Sequence, residues 1–317
     1  MRSLFQVCLL GVSFLMFLLG NASADSGHTD LRHRDKDAET DAVRRPAVAQ
    51  GNFRITAAYE GRFVDETAAI NASQGLTSTR EFDAFDTHRG VFDVTATVPL
   101  TSWTGARARL AGGFASENSD DSAGSSDSET GTFGAGFDLF VRDPDLGSFT
   151  LGAGYERFEG DDDYEANAYQ GRVELKVFFP DLGSGPVDWF VDFQYARRDD
   201  AGASRDFVPN RDTFSVEGGV GWYFGENIQW IMGGRWSLAE NDDAEIEDRE
   251  GFAGIRWFLP VQAGMSAEFD FRGHAGVSDY QEDSFGSDGR FVYGVRGGVT
   301  LRFRSGGTLL ESIRAYD

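Results

Sequence analysis

From Asn52 to Arg304 apolar and polar side chains alternate, segment after segment, and this period of two constrains the fold more than any other feature. In the last segment Phe291, Tyr293, Val295, Gly297, Val299, Leu301 and Phe303 are interleaved with Arg290, Val292, Gly294, Arg296, Gly298, Thr300 and Arg302. Successive side chains of a strand point to opposite faces, so such a segment has one oily face and one arginine-bearing face. The pattern recurs over 52–64, 88–98, 106–116, 131–142, 149–158, 167–179, 187–197, 213–224, 228–239, 249–258, 265–274 and 289–303. A tilted strand crosses a bilayer in about 9–11 residues, which each segment supplies. The expected fold is all-β, a transmembrane antiparallel up-and-down β-barrel of about 12 strands with lipid outside and water inside.

The flanking segments differ. Arg2, the apolar run Leu4 to Gly20 and Ala22-Ser23-Ala24 read as a secretory signal peptide over 1–24. Residues 25–50 are polar and aperiodic and read as a flexible periplasmic segment, too short for a secreted passenger. The barrel is expected over 51–304 and a C-terminal tail over 305–317. No segment after the signal has the run of about 18 apolar residues that a spanning helix needs. Cys8 is the only cysteine, so disulfides and thiol chemistry are excluded from the mature chain. The net charge of −23 argues against nucleic acid as a partner.

The connections alternate in kind. Those at 99–105, 143–148, 180–186, 225–227 and 259–264 are short and carry Pro and Gly. Those at 65–87, 117–130, 159–166, 198–212, 240–248 and 275–288 are longer and acidic. Aromatics crowd the short turns: Phe178-Phe179, Trp189-Phe190, Trp222-Tyr223-Phe224, Trp230 and Trp257-Phe258. This reads as an interfacial girdle at the periplasmic side, with both termini periplasmic and the long loops outside. A soluble β-sandwich would share the alternation but not the loop asymmetry, the girdle and the mid-strand arginines.

With its signal and the segment 52–304, ending in Gly294-Val295-Arg296-Gly297-Gly298-Val299-Thr300-Leu301-Arg302-Phe303, the chain resembles the bacterial outer-membrane β-barrel proteins, broadly the porin-like group. The resemblance implies an integral outer-membrane location. It also implies contact with outer-membrane lipid and lipopolysaccharide and insertion by the outer-membrane assembly machinery. Such barrels usually end in an aromatic residue; here Arg304 to Asp317 follow Phe303.

The parity opposite to the oily face lines the lumen. It reads as a basic wall from Arg235, Arg256, Arg272, Arg290, Arg296, Arg302, Arg54, Arg62, Arg89, Arg107 and Arg109, with Glu60, Asp93, Glu268 and Asp270 as exceptions. Asp138, Glu156, Glu174, Asp188, Asp192 and Glu217 form a more acidic wall, with Arg172 and Lys176 as exceptions. Opposed walls would set a transverse field across a narrow aqueous path; neighbouring charges that pair and fill the interior are the plainer alternative. Inward Gly134, Gly136, Gly152, Gly154, Gly219 and Gly221 either thin the acidic wall or admit long side chains from across the barrel.

The expected function is a narrow porin-like channel for passive diffusion of small polar or ionic solutes. Arg235, Arg296, Arg107, Arg109, Asp192, Glu217, Glu174, Glu268 and Asp270 would set its selectivity. The alternative is a structural or adhesive barrel acting through its acidic loops; an autotransporter-type translocator and a barrel enzyme rank lower. No catalytic residue is assigned: Asp188/Asp192 and Glu268/Asp270 are explained by lumen salt bridges, and His28, His33, His88 and His274 lack a nucleophile motif. No cofactor is expected. Asp161, Asp162, Asp163, Asp242 and Asp243 are weak Ca²⁺ or Mg²⁺ candidates, because those ions prefer carboxylate oxygens.

Overall fold

The computed structural model describes residues 51–64, 67–71, 78–82, 85–121, 124–160, 165–179, 185–200, 211–240, 244–262, 264–282, 286–304 and 308–315. The expected signal, the 25–50 segment and all five candidate metal-binding aspartates lie outside the described residues.

Among the described residues fourteen strands follow in order: β1 (Asn52–Val64), β2 (Thr67–Asn71), β3 (Ser78–Phe82), β4 (Phe85–Pro99), β5 (Thr104–Asp121), β6 (Gly124–Asp143) and β7 (Gly147–Gly160). Then come β8 (Glu165–Phe179), β9 (Val187–Asp200), β10 (Arg211–Phe224), β11 (Ile228–Glu240), β12 (Ala244–Gln262), β13 (Met265–Glu282) and β14 (Gly286–Phe303), and last the helix α1 (Leu309–Ala315). Twelve strands close into one antiparallel barrel, each pairing with its neighbours and β14 sealing on β1 from Phe53↔Phe303 to Val64↔Val292. Closure matters because an open edge cannot satisfy its backbone groups in lipid. The short strands β2 and β3 form a separate hairpin.

All twelve expected segments are barrel strands, but several run further than the alternation does. Strands β5 and β6 stay paired to Asp121↔Gly124, and β13 and β14 to Glu282↔Gly286, where acidic loops were expected. The pattern fades there because alternation records a difference between two solvents. Backbone pairing does not need that difference, so it continues where the pattern stops.

The outward face carries two aromatic belts. Near the short turns are the contacts Phe53–Phe303, Phe179–Trp189, Phe224–Trp230 and Trp257–Phe269. Towards the other rim are Phe63–Tyr293, Tyr155–Tyr169 and Phe214–Trp236. From Phe214 to Phe224 is ten residues, about 33 Å of strand, or about 25 Å of height at a tilt near 40°. That matches the apolar band of a membrane barrel. Beyond the second belt the outer face turns ionic, as in Arg197–Asp199 at 3.2 Å and Arg249–Glu247 at 2.5 Å.

The girdle expected near the short turns is only half right. Phe179, Trp189, Trp222, Phe224, Trp230 and Trp257 have the outward parity. Phe178, Tyr223 and Phe258 have the other, and lie 3%, 1% and 1% exposed inside the barrel. Adjacent residues of a strand cannot share a face, so each aromatic doublet supplies one ring to lipid and one to the interior.

Candidate functional site: the lumen

The inward parity encloses a cavity of about 640 Å³. All nine residues expected in the lumen line it: Arg107, Arg109, Glu174, Asp192, Glu217, Arg235, Glu268, Asp270 and Arg296. Among the described residues, eleven basic and nine acidic side chains line this cavity, so its wall is net positive inside a chain of charge −23.

The two-wall division gives way to local pairing. On the side read as basic, Arg109 binds Asp93, Arg302 lies 2.6 Å from Glu268, and Arg256 lies 3.1 Å from Asp270. On the side read as acidic, Arg172 holds Asp192 at 2.6 Å and also binds Glu174, which meets Lys176 at 3.0 Å. Other pairs cross two intervening strands: Arg272 to Glu217 at 3.3 Å, Arg89 to Glu156 at 3.5 Å, and Arg62 to Asp248 at 3.1 Å. The curvature of the barrel brings these long side chains within reach. Charges neutralised at 3–4 Å leave little of a transverse field.

Some of the inward glycines admit side chains from adjacent strands. A Cβ on Gly152 would lie 2.1 Å from the Asp138 carboxylate, and one on Gly221 2.2 Å from the Gln229 amide. Gly219 and Gly233 lie between Phe190 and Phe252, whose rings stack at 6.5 Å; Cβ atoms there would lie 2.9 and 2.6 Å from the two rings. Gly152, Gly219 and Gly221 therefore make room for neighbours, whereas Gly134, Gly136 and Gly154 line the cavity with no side chain closer than 3.6 Å to an added Cβ.

At the short-turn end the interior is closed. Thr97, Arg142, Ser266 and Gln229 are 2%, 2%, 2% and 3% exposed there. The helix α1 seats in that mouth against β8, β9, β10 and β12. Thr308 caps the helix, accepting from the Glu311 amide at 3.2 Å. Leu309, Ser312 and Ile313 share one face by their i, i+3, i+4 spacing, and are 0%, 0% and 4% exposed. Leu309 and Ile313 pack on Tyr223 and Phe258. The Leu309 and Leu310 amides donate to Asn227 Oδ1 at 3.3 Å and to the Glu226 carbonyl at 3.1 Å, both in the β10–β11 turn. Arg314 donates to the Phe179 carbonyl at 3.2 Å and to Asp188 at 3.0 Å, with its guanidinium 5.1 Å above the Phe178 ring. Tyr223 donates its hydroxyl to the same Asp188. Seven residues do not hold a helix alone in water; these contacts do.

The sequence reading treated 305–317 as a tail and missed this element. The signal was present in two parts. Leu309, Leu310 and Ile313 are apolar at helical spacing, and Phe178, Tyr223 and Phe258 are apolar on the lumen parity, where water alone would call for polar groups.

Of the four histidines, His88 and His274 are among the described residues, and they lie on opposite faces of the barrel wall. His88 sits on the outward parity, stacked on Tyr59 with its Nδ1 2.6 Å from the tyrosine hydroxyl. His274 faces the lumen, 3.1 Å from Glu250 and 3.9 Å from Glu60. Among the described residues no cluster of three metal-ligating side chains occurs.

No protein-family model and no curated protein sequence matches the chain. Among solved structures it is similar to the beta domain of the Bordetella autotransporter Brka, with a TM-score of 0.53 and 11% identity over 80% of this chain and 99% of that one. An outer membrane channel from Pseudomonas putida F1 gives a TM-score of 0.49 at 14% identity, over 83% and 100% of the two chains. The translocator domain of autotransporter NalP from Neisseria meningitidis gives 0.46 at 11%, over 94% and 98%. At these identities the likeness is one of fold: the chain has the closed antiparallel barrel of bacterial outer-membrane proteins.

Proposed function

We propose that the protein is an integral outer-membrane channel for small polar or ionic solutes, closed at its periplasmic mouth by α1. The short-turn end is the periplasmic side and the long-hairpin rim faces outward, which leaves both termini periplasmic. The segment 1–24 directs export, and lipopolysaccharide contacts the outer half of the lipid-facing surface. The nine lumen charges from Arg107 to Arg296 line the solute path, and the protein works without a catalytic group or cofactor.

The observation that carries this reading is the pairing of a wet, ion-lined cavity with a helix seated in one mouth. A purely structural barrel would fill its interior throughout. Here Arg109 and Arg89 keep 51% and 48% of their side-chain surface exposed, whereas the ring of residues around α1 is dry. The seat is held by a small apolar cluster and one ion pair with Asp188, a set of contacts that can release without disturbing the barrel ladder.

Planar-bilayer conductance tests it. The full chain is expected to conduct rarely, and Leu309→Asp/Ile313→Asp, or a chain ending at Arg304, to give steady stepwise currents. Heat-shifted migration on a gel verifies that each variant is folded. Folded, plug-free barrels that never conduct would overturn the channel reading in favour of a barrel acting through its outer loops.

A further inference from the structure

The geometry points to a binding site for a small, doubly charged oxyanion, a dicarboxylate or inorganic phosphate, at Arg296 and Arg235 in the lumen. This inference names a substrate class for the channel proposed above and rests on that reading only for transport, not for binding.

The argument begins with the carboxylates. Of the nine that line the cavity, eight lie within 3.6 Å of an arginine or lysine; the ninth, Glu60, faces His274 at 3.9 Å. Glu250, the register partner of Arg235, is taken by Arg62 at 3.3 Å and His274 at 3.1 Å. The acids are thus already satisfied. Among the described residues Arg235 and Arg296 make no ion pair or hydrogen bond, and both are exposed to the cavity. Both carry their positive charge into the cavity without an ion-pair partner among the described residues.

Register adds a second argument. Arg296 stands directly opposite Arg272 on the neighbouring strand, on the same face. Like charges so placed repel, because their Cβ atoms are only about 5 Å apart. Arg272 is occupied by Glu217 and by Asp270 at 3.6 Å, and Glu60, opposite Arg296 on β1, lies against His274 at 3.9 Å, so Arg296 has no ion pair of its own among the described residues. An anion between them would remove the repulsion. A guanidinium also presents a planar fork of donors matched to carboxylate and phosphate oxygens, and it stays charged at any ambient pH. The cavity of about 640 Å³ admits a solute of a few to about a dozen heavy atoms with its water.

Two measurements on the full chain in detergent and in bilayers test this. Titration calorimetry with inorganic phosphate and, separately, with succinate is expected to show saturable binding. It should weaken at least tenfold in Arg296→Gln and vanish in Arg235→Gln/Arg296→Gln. In a KCl gradient the reversal potential of the conducting plug-free variant is expected to favour chloride, and to shift toward the cation side in the double substitution. Binding of succinate alone would select dicarboxylates over phosphate as the ligand. Binding lost on substitution in a barrel that never conducts would keep the site and remove the channel. Unchanged binding in the double variant, or no binding of either anion by the unsubstituted chain, overturns the site; binding lost with unchanged selectivity keeps the site and removes it from the solute path.

Discussion

Arg314 of the C-terminal helix meets Asp188 of β9 at 3.0 Å, across 126 positions of sequence, with both side chains about nine-tenths buried. The same carboxylate accepts from the Tyr223 hydroxyl, and Tyr223 is one of the two rings on which the helix packs. One buried acid thereby joins the barrel wall to its plug.

Removing one partner of such a pair leaves the other charge buried and uncompensated, at a cost of about 3 kcal/mol. Arg314→Ala is therefore expected to release α1 about a hundredfold more often. A cysteine placed by Ser312→Cys, in a chain also carrying Cys8→Ser, reports this by maleimide labelling. Slow labelling should become fast when Arg314→Ala is added. Equal labelling rates would remove the ion pair from the closure.

Ile313→Ala deletes a side chain that is 4% exposed and should weaken docking by about 3 kcal/mol, the usual cost of emptying such a site. Ser312→Ala should do the opposite. The Ser312 hydroxyl is buried without a partner, and leaving such a group dry costs about 1–3 kcal/mol. The pair predicts opposite shifts in bilayer open probability, up for Ile313→Ala and down for Ser312→Ala.

Val295 and Arg296 are neighbours on opposite faces of β14. Val295→Arg is expected to destabilise the barrel by about 2–4 kcal/mol in lipid, the cost of a charge near mid-bilayer. Arg296→Gln should change stability by less than about 1 kcal/mol, since it lies in water. Denaturant unfolding in vesicles checks both, and equal effects would mean that the lipid-facing side has been assigned wrongly.

Gly233→Val should block folding. Its Cβ would lie 2.2 Å from the Gly218 carbonyl and 2.6 Å from the Phe252 ring. Gly171→Ala is the control, with nothing within 4 Å of the added carbon. The folded band of the first is expected to fall at least tenfold, and that of the second to match the parent.

Much of this was legible in the order of residues. The parity of Val295 against Arg296, and of Trp189 against Asp188, follows from the geometry of a strand and needs no tertiary information. Parity alone also brings all nine expected charges to the cavity. The aromatic doublets misled, because proximity in sequence to a turn was read as a shared interface. Tyr223 could have been separated from Trp222 by parity alone.

The sequence by itself determined the strands, their two faces and the solvent against each, because those are local properties with a period of two. Only the tertiary structure decided which carboxylate each arginine neutralises and where the segment after Phe303 goes. Arg272 reaches Glu217, and Arg314 reaches Asp188, because closing twelve strands into a curved wall brings distant side chains face to face. No local pattern encodes that curvature. It therefore took the closed barrel to reveal that the lumen charges are mostly spent on one another, that Arg235 and Arg296 are left over, and that one mouth is sealed.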